Sequence, residues 1–213
     1  MKTDEFINKR PFLYHLTDKI NFNLIKINGL LLCTSTIAGL SELNPEEQHL
    51  YLRTRRGTHT SITVGEAEYL IRDQQPISLK NLEKCLTNGW NTGDFLYHLN
   101  SRVFFWPTTK RLESHYSRYK EESPIIIKVS SGALIELNPH VEFCRLNSGA
   151  TRSNSHLNGA PPERGIETFL PADSYTNTIG SVAEVTFPDR CQLPNKIFVG
   201  ETPNGPWTEI TLI

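Results

Sequence analysis

A chain of 213 residues with 38% hydrophobic and 21% charged residues is long enough to bury one core without disulfide or metal staples. Its formal net charge of −1 lacks the basic excess of a dedicated duplex-DNA binder. No run reaches the roughly 18 apolar residues of a membrane helix, so no membrane span is expected. Met1-Lys2-Thr3-Asp4-Glu5 has no signal-peptide core, which points to a cytoplasmic chain. Cys33, Cys85, Cys144 and Cys191 are widely spaced, with no Cys-x-x-Cys pair, and read as scattered reduced thiols with no metal site.

The first element is a short strand over residues 12–16. Asp18 can cap a helix over 20–28, where Phe22, Leu24, Ile25 and Ile27 give a partly helical apolar pattern, and Gly29 suits its C-cap. Leu30-Leu31-Leu32 follows. Residues 34–60 hold a helix starting at Pro45-Glu46-Glu47 behind an Asn44 cap. Ile62-Thr63-Val64 reads as a strand, and Gly65 to Ile71 is ambiguous. Helices are expected over 79–86 and 92–99, an aromatic strand over 103–106, a helix over 110–120 and a buried strand over 124–129. Val141, Phe143 and Leu146 suggest another strand. Residues 147–180 are rich in Asn, Ser, Gly, Pro and Thr without periodicity, and read as one long functional or disordered loop. Strands over 182–187, 196–200 and 208–213 complete the chain. No repeat or linker divides it.

Several stretches can carry chemistry. In Val182-Ala183-Glu184-Val185-Thr186-Phe187 the alternation puts Val182, Glu184 and Thr186 on one face. A strand carboxylate usually faces solvent, yet a long polar loop leads directly into this one, as for a carboxylate that stabilises a developing cation in a cleft. His15 shares a strand face with Leu13 and, alone, reads as a hydrogen-bonded structural histidine. The run from Asn100 to Arg111 combines the rings of Phe104, Phe105 and Trp106 with Arg102, Lys110 and Arg111. It is either a core strand and helix start, or a stacking face beside a pyrophosphate partner. Asn147 to Arg152 and Arg164 to Phe169 are small-polar, glycine-containing stretches that are weak as isolated motifs and also fit plain turns. There is no P-loop or Rossmann glycine motif, no zinc spacing and no Gly-x-Ser-x-Gly elbow.

Taken together, Leu13-Tyr14-His15-Leu16-Thr17, a helix, and Asn28-Gly29-Leu30-Leu31 resemble the opening of ADP-ribosyltransferase-superfamily domains, and are similar to the DarT-type DNA ADP-ribosyltransferases. Val103 to Pro107 with Lys110-Arg111 looks like their hydrophobic strand and basic residue. Ala183-Glu184-Val185 with Pro188-Asp189-Arg190 and Leu193-Pro194 looks like their last, catalytic strand. Asn100 to Trp106, Asn147 to Thr151 and Arg164 to Phe169 also suggest an uncharacterised bacterial family related to these.

The resemblance implies an α+β fold, with an ADP-ribosyltransferase-like split mixed or antiparallel β-sheet core and flanking helices. It implies one domain over 1–213 with a helical elaboration around 35–100, a segment without counterpart in the short toxins. NAD would be the cofactor, held by His15, Leu16, Thr17, Gly29, Leu30, Phe105, Trp106 and Lys110. Glu184 would stabilise the oxocarbenium-like transition state as nicotinamide leaves. Arg111, or Lys110, would pair the pyrophosphate or steady the acceptor. The implied activity is mono-ADP-ribosyl transfer, with a nucleobase of DNA or RNA as acceptor, in a toxin or phage-defence setting with an antitoxin partner. NAD-dependent RNA 2′-phosphotransfer on the same fold, and non-catalytic binding of ADP-ribose or a nucleotide, are the alternatives.

Overall fold

The structure, a computed structural model, describes residues 1–151 and 161–212. Among these, the chain begins with helix α1 (Thr3–Lys9), strand β1 (Phe12–Thr17), helix α2 (Lys19–Asn28) and strand β2 (Leu30–Leu32). Helices α3 (Thr34–Leu40) and α4 (Pro45–Arg53), hairpin β3 (Thr60–Val64) and β4 (Ala67–Ile71), and helices α5 (Leu79–Glu83) and α6 (Thr92–Asn100) come next. Strand β5 (Arg102–Phe105), helix α7 (Thr109–Tyr119), strand β6 (Ile125–Ser130), helix α8 (Ser131–Leu137) and strand β7 (Glu142–Cys144) follow. Strands β8 (Leu170–Pro171), β9 (Glu184–Pro188), β10 (Arg190–Gln192), β11 (Lys196–Gly200) and β12 (Thr208–Thr211) end it. None of the helices is long and apolar enough to cross a membrane.

Local chemistry explains the best-defined ends. The Asp18 carboxylate accepts from the Asn21 amide at 2.8 Å, and Gly29 closes α2 in the left-handed region at φ 61°, where a residue without Cβ meets no penalty. Asn44 and Glu47 form a reciprocal capping box behind Pro45. Asn91 and Asp94 do the same for α6.

Two four-stranded sheets form the centre, in the orders β1-β6-β11-β12 and β5-β9-β7-β8. Every ladder of these sheets is antiparallel. They meet where Tyr14 and Trp106 exchange both backbone hydrogen bonds, at 2.8 and 3.0 Å. The main core lies along this junction, with Leu13, Ile127 and Val129 from one sheet, Val103, Phe105, Phe143, Val185 and Phe187 from the other, and Phe6, Phe22 and Leu134 from α1, α2 and α8. Each fully buried aromatic or aliphatic side chain here contributes on the order of 2 kcal/mol.

The segment expected as a helical elaboration carries the β3–β4 hairpin as well as helices. Ile37, Ala38, Leu52, Ile62 and Ile71 give it a small core of its own. A buried polar knot joins it to the sheets. The Asn100 side chain accepts from Arg56 at 3.0 Å and Gln74 at 3.3 Å and donates to the Leu52 carbonyl at 2.8 Å.

Candidate functional site

The sheet junction decides which side chains meet. β5 lies between β1 and β9, because Tyr14 pairs with Trp106 and Phe104 pairs with Thr186. Neighbouring strands run about 4.8 Å apart, so β1 and β9 are about 10 Å apart here. His15 on β1 and Glu184 on β9, distant in sequence, therefore line the same cleft of about 710 Å³. Its walls include Phe104 and Trp106 from β5, Ser114, His115 and Arg118 from α7, Arg72 and Asp73 after the hairpin, and Asn147 to Ala150.

Glu184 is the cross-strand partner of Cys144 and is only 3% exposed. Solvent does not face it because β9 is a central strand with both faces covered. The Ser148 hydroxyl donates to the carboxylate at 2.6 Å and the Ser148 amide reaches both oxygens at 3.2 Å. Burial pushes the carboxyl up to about 7. The two Ser148 hydrogen bonds, then the charges of Arg164 and Arg111, oppose that rise. The group therefore titrates at neutral pH, a common property of working acids and bases.

His15 is held by Nδ1 at 2.8 Å from the Phe104 carbonyl. Burial lowers it to about 4 despite that bond, so the ring is neutral; with Nδ1 as donor, Nε2 is an acceptor. His115 stacks on Trp106 with centroids 4.5 Å apart, and burial lowers it to about 3. The cleft therefore has two uncharged imidazoles beside an indole. Its cations are differently committed. Arg56 is used by the Asn100 side chain and by the Tyr51 and Arg72 carbonyls. Arg102 pairs with Glu142 at 2.7 Å and lies over Phe169. Arg72 meets Glu122 at 3.2 Å and lies over Tyr119, but among the described residues its Nη2 is buried without a partner. Arg118 makes no ion pair among the described residues.

Two further recesses adjoin the cleft. A small one of about 210 Å³ shares His15, Leu16, Leu32, Thr34 and Arg72 with it and adds Thr17 and Leu30. Another, of about 530 Å³, is reached past Trp106 and Ser114. It holds Arg10, Lys110 and Arg111, and Glu184 lines it too.

The sequence-predicted residues divide accordingly. His15, Leu16, Trp106 and Glu184 line the cleft, and Thr17 and Leu30 line its extension. Lys110, expected at the cofactor, and Arg111 lie in the recess beyond Trp106, because α7 starts on that side of the indole. Phe105 does not line the cleft. Alternation along β5 turns Phe105 into the main core, 5.5 Å from Phe187, and leaves Phe104 on the cleft side. The Gly29 carbonyl is already taken by the Leu193 amide at 2.8 Å and the Gln192 side chain at 2.9 Å. Sequence reasoning missed Ser148, His115, Arg118 and Arg72 as site residues. His115 had a usable signal, since Leu112, His115 and Tyr119 fall on one face of α7. Arg72 had none, because only folding of the hairpin brings it to the cleft. Among the described residues no group of three His, Cys, Asp or Glu is arranged to hold a metal.

A family of unknown function, DUF7002, matches residues 11–196, and the chain belongs to that family. No curated protein and no solved structure matches it.

Proposed function

We propose that this member of DUF7002 is an NAD-dependent mono-ADP-ribosyltransferase with an ADP-ribosyltransferase-like split sheet. The observation that carries the reading is the convergence of His15 and Glu184, from strands at opposite ends of the sequence, on one cleft lined by the rings of Phe104 and Trp106. Two antiparallel four-stranded sheets that part at a single junction also suit that fold.

The residues fit a dinucleotide. A cleft of about 710 Å³ falls within the roughly 300–1,000 Å³ of small-molecule sites. The buried, partnerless Nη2 of Arg72 offers a cationic donor that a diphosphate would satisfy. Phe104 and Trp106 supply faces for a flat ring, and the His15 Nε2 an acceptor for a ribose hydroxyl. NAD, when bound, supplies an ADP-ribosyl group activated by loss of nicotinamide. Glu184, once ionised, favours positive charge developing beside it. The neutral imidazoles add no opposing charge. Lys110 and Arg111, across Trp106 from His15, serve the side from which the acceptor arrives, and a nucleobase in DNA or RNA brings phosphates to match them.

RNA 2′-phosphotransfer draws on the arginines around the cleft. It is the weaker reading, because Arg56 and Arg102 are already consumed by internal partners. Incubation with labelled NAD and mixed DNA, RNA and protein tests the proposal. Label is expected on an acceptor with wild type and is lost in folded Glu184→Ala. Labelling that survives in that variant removes Glu184 from the reaction.

A further inference from the structure

Arg164 is a buried arginine held by backbone carbonyls. It is 2% exposed, and among the described residues its guanidinium meets no carboxylate within ion-pair distance. Instead Nε donates to the Ser148 carbonyl at 3.3 Å. Nη2 donates to the carbonyls of Asn147 at 3.4 Å and Ala150 at 2.8 Å, and Nη1 to that of Pro162 at 2.7 Å. A buried charge costs several kcal/mol unless well satisfied, so a guanidinium spent on three carbonyls of one four-residue turn is an expensive way to fasten a loop. That turn, 147–150, is the one whose Ser148 amide and hydroxyl hold Glu184.

The grip has a rigid base. The Arg164 amide donates to the Cys85 carbonyl at 2.7 Å, and its own carbonyl accepts from the Thr87 amide at 2.8 Å. Gly165 follows with extended backbone, and a Cβ there would lie 2.3 Å from the Thr87 hydroxyl oxygen and 2.6 Å from the Asn88 side-chain oxygen. The backbone is thus fixed on the segment after α5 while the side chain reaches into the turn. With the Ser148 carbonyl drawn to Arg164 on one side of the turn, the Ser148 amide and hydroxyl are presented to Glu184 on the other.

We infer that Arg164 is the positioning residue of the Glu184 carboxylate. It fixes the 147–150 turn by its carbonyls, so that Ser148 donates twice to Glu184, and it places an uncompensated positive charge behind that contact. The turn and Arg164 are remote in sequence and, taken separately, are ordinary loop residues. Their shared object is the carboxylate. The other ionisable groups facing Glu184 are Cys144 across the strand pair, whose thiol burial holds above the ordinary range, Arg111, with Lys110 and Arg10, in the adjoining recess, and His15, His115, Arg72, Arg118 and Asp73 around the main cleft. Arg164 alone among these also orients the donors. It does not touch the space where substrate would lie.

The inference rests on the proposed reading only in taking Glu184 as the working carboxylate, and its test needs no substrate. The Glu184 carboxyl is titrated by difference infrared spectroscopy against Glu184→Gln, in wild type, Ser148→Ala, Arg164→Lys and Arg164→Met. Removing a positive charge and a hydrogen bond raises a carboxyl by about 1 pH unit or more. Arg164→Met is expected to raise the midpoint by at least as much as Ser148→Ala. Arg164→Lys, with charge but no fork for three carbonyls, is expected to fall between Met and wild type. A midpoint that stays at the wild-type value in folded Arg164→Met overturns the inference. If the Met variant does not fold, an unmoved midpoint in Arg164→Lys does so. A loss of ADP-ribosyl transfer in all variants, with the midpoints moving as expected, would leave the inference standing; a normal titration series with no NAD chemistry in wild type would count against the functional reading alone.

Discussion

Glu184→Gln keeps the length of the side chain and an oxygen for the Ser148 donors, and deletes the buried charge. Burial holds the Glu184 carboxyl at about 7 against an ordinary 4.5, so the folded chain retains a proton that the unfolded chain releases. The stability tied to this group is therefore fully present below pH 4.5, declines as pH rises, and is lost above about pH 7. The gap between about 7 and 4.5, at about 1.4 kcal/mol per unit, gives a ceiling of about 3 kcal/mol. Relaxation of the Ser148 turn and a realistic internal dielectric reduce this to about 2 kcal/mol. Urea unfolding of wild type and Glu184→Gln, from about pH 4.5 to about pH 8.5, reads the effect as a difference. The subtraction cancels His15, His98 and His115, whose lowered values cost stability in the opposite direction, as pH falls through the ordinary histidine range. The stability of Glu184→Gln relative to wild type is expected to rise by about 2 kcal/mol across that range and to level off above neutrality. A difference that is flat with pH, or that falls, refutes the assignment of a raised, buried carboxyl.

Other outcomes follow from the same geometry. Ser148→Ala removes the 2.6 Å hydroxyl contact, so the acid limb of any Glu184-dependent activity moves to higher pH by about 1 unit, seen in a pH–rate profile. Asn100→Leu strands Arg56 and Gln74 in the buried knot and should cost about 2–3 kcal/mol in thermal or urea unfolding. Arg111→Ala is expected to leave NAD affinity unchanged in calorimetry while slowing transfer to a phosphate-bearing acceptor at least tenfold, because Arg111 lines the recess beyond Trp106 and not the His15 cleft.

Much of the backbone was legible in the sequence because the cues were local. Asp18, Gly29 and Asn44 set helix ends through their own side chains or absent Cβ, and the aliphatic run of β6 reads as the strand it forms, with Ile126, Ile127 and Val129 buried. Helices α1 and α8 escaped notice: each has seven residues, too short to show a period, and α1 buries only Phe6. Strand β10, Arg190–Gln192, exists only through its pairing with β2, which no local pattern encodes. The presumed loop from 147 to 180 is pinned among its described residues by buried Arg164, Phe169, Tyr175 and Ile179; the expectation for residues 152–160 lies outside the described residues. At the site, the strand pattern placed Glu184 on a face with Thr186 but could not say that the face is covered. It could not separate Phe104 from Phe105, since that choice depends on which side of β5 the second sheet packs. The meeting of His15 with Glu184 is a consequence of the Tyr14–Trp106 junction, a tertiary fact.

A crystal structure of Glu184→Gln grown with NAD shows directly whether the cleft takes the dinucleotide. The dinucleotide is expected in the cleft, with its nicotinamide ribose between His15 and residue 184 and its diphosphate against Arg72. A dinucleotide bound away from both His15 and residue 184, or a cleft that takes none at saturating NAD, would contradict the proposed function.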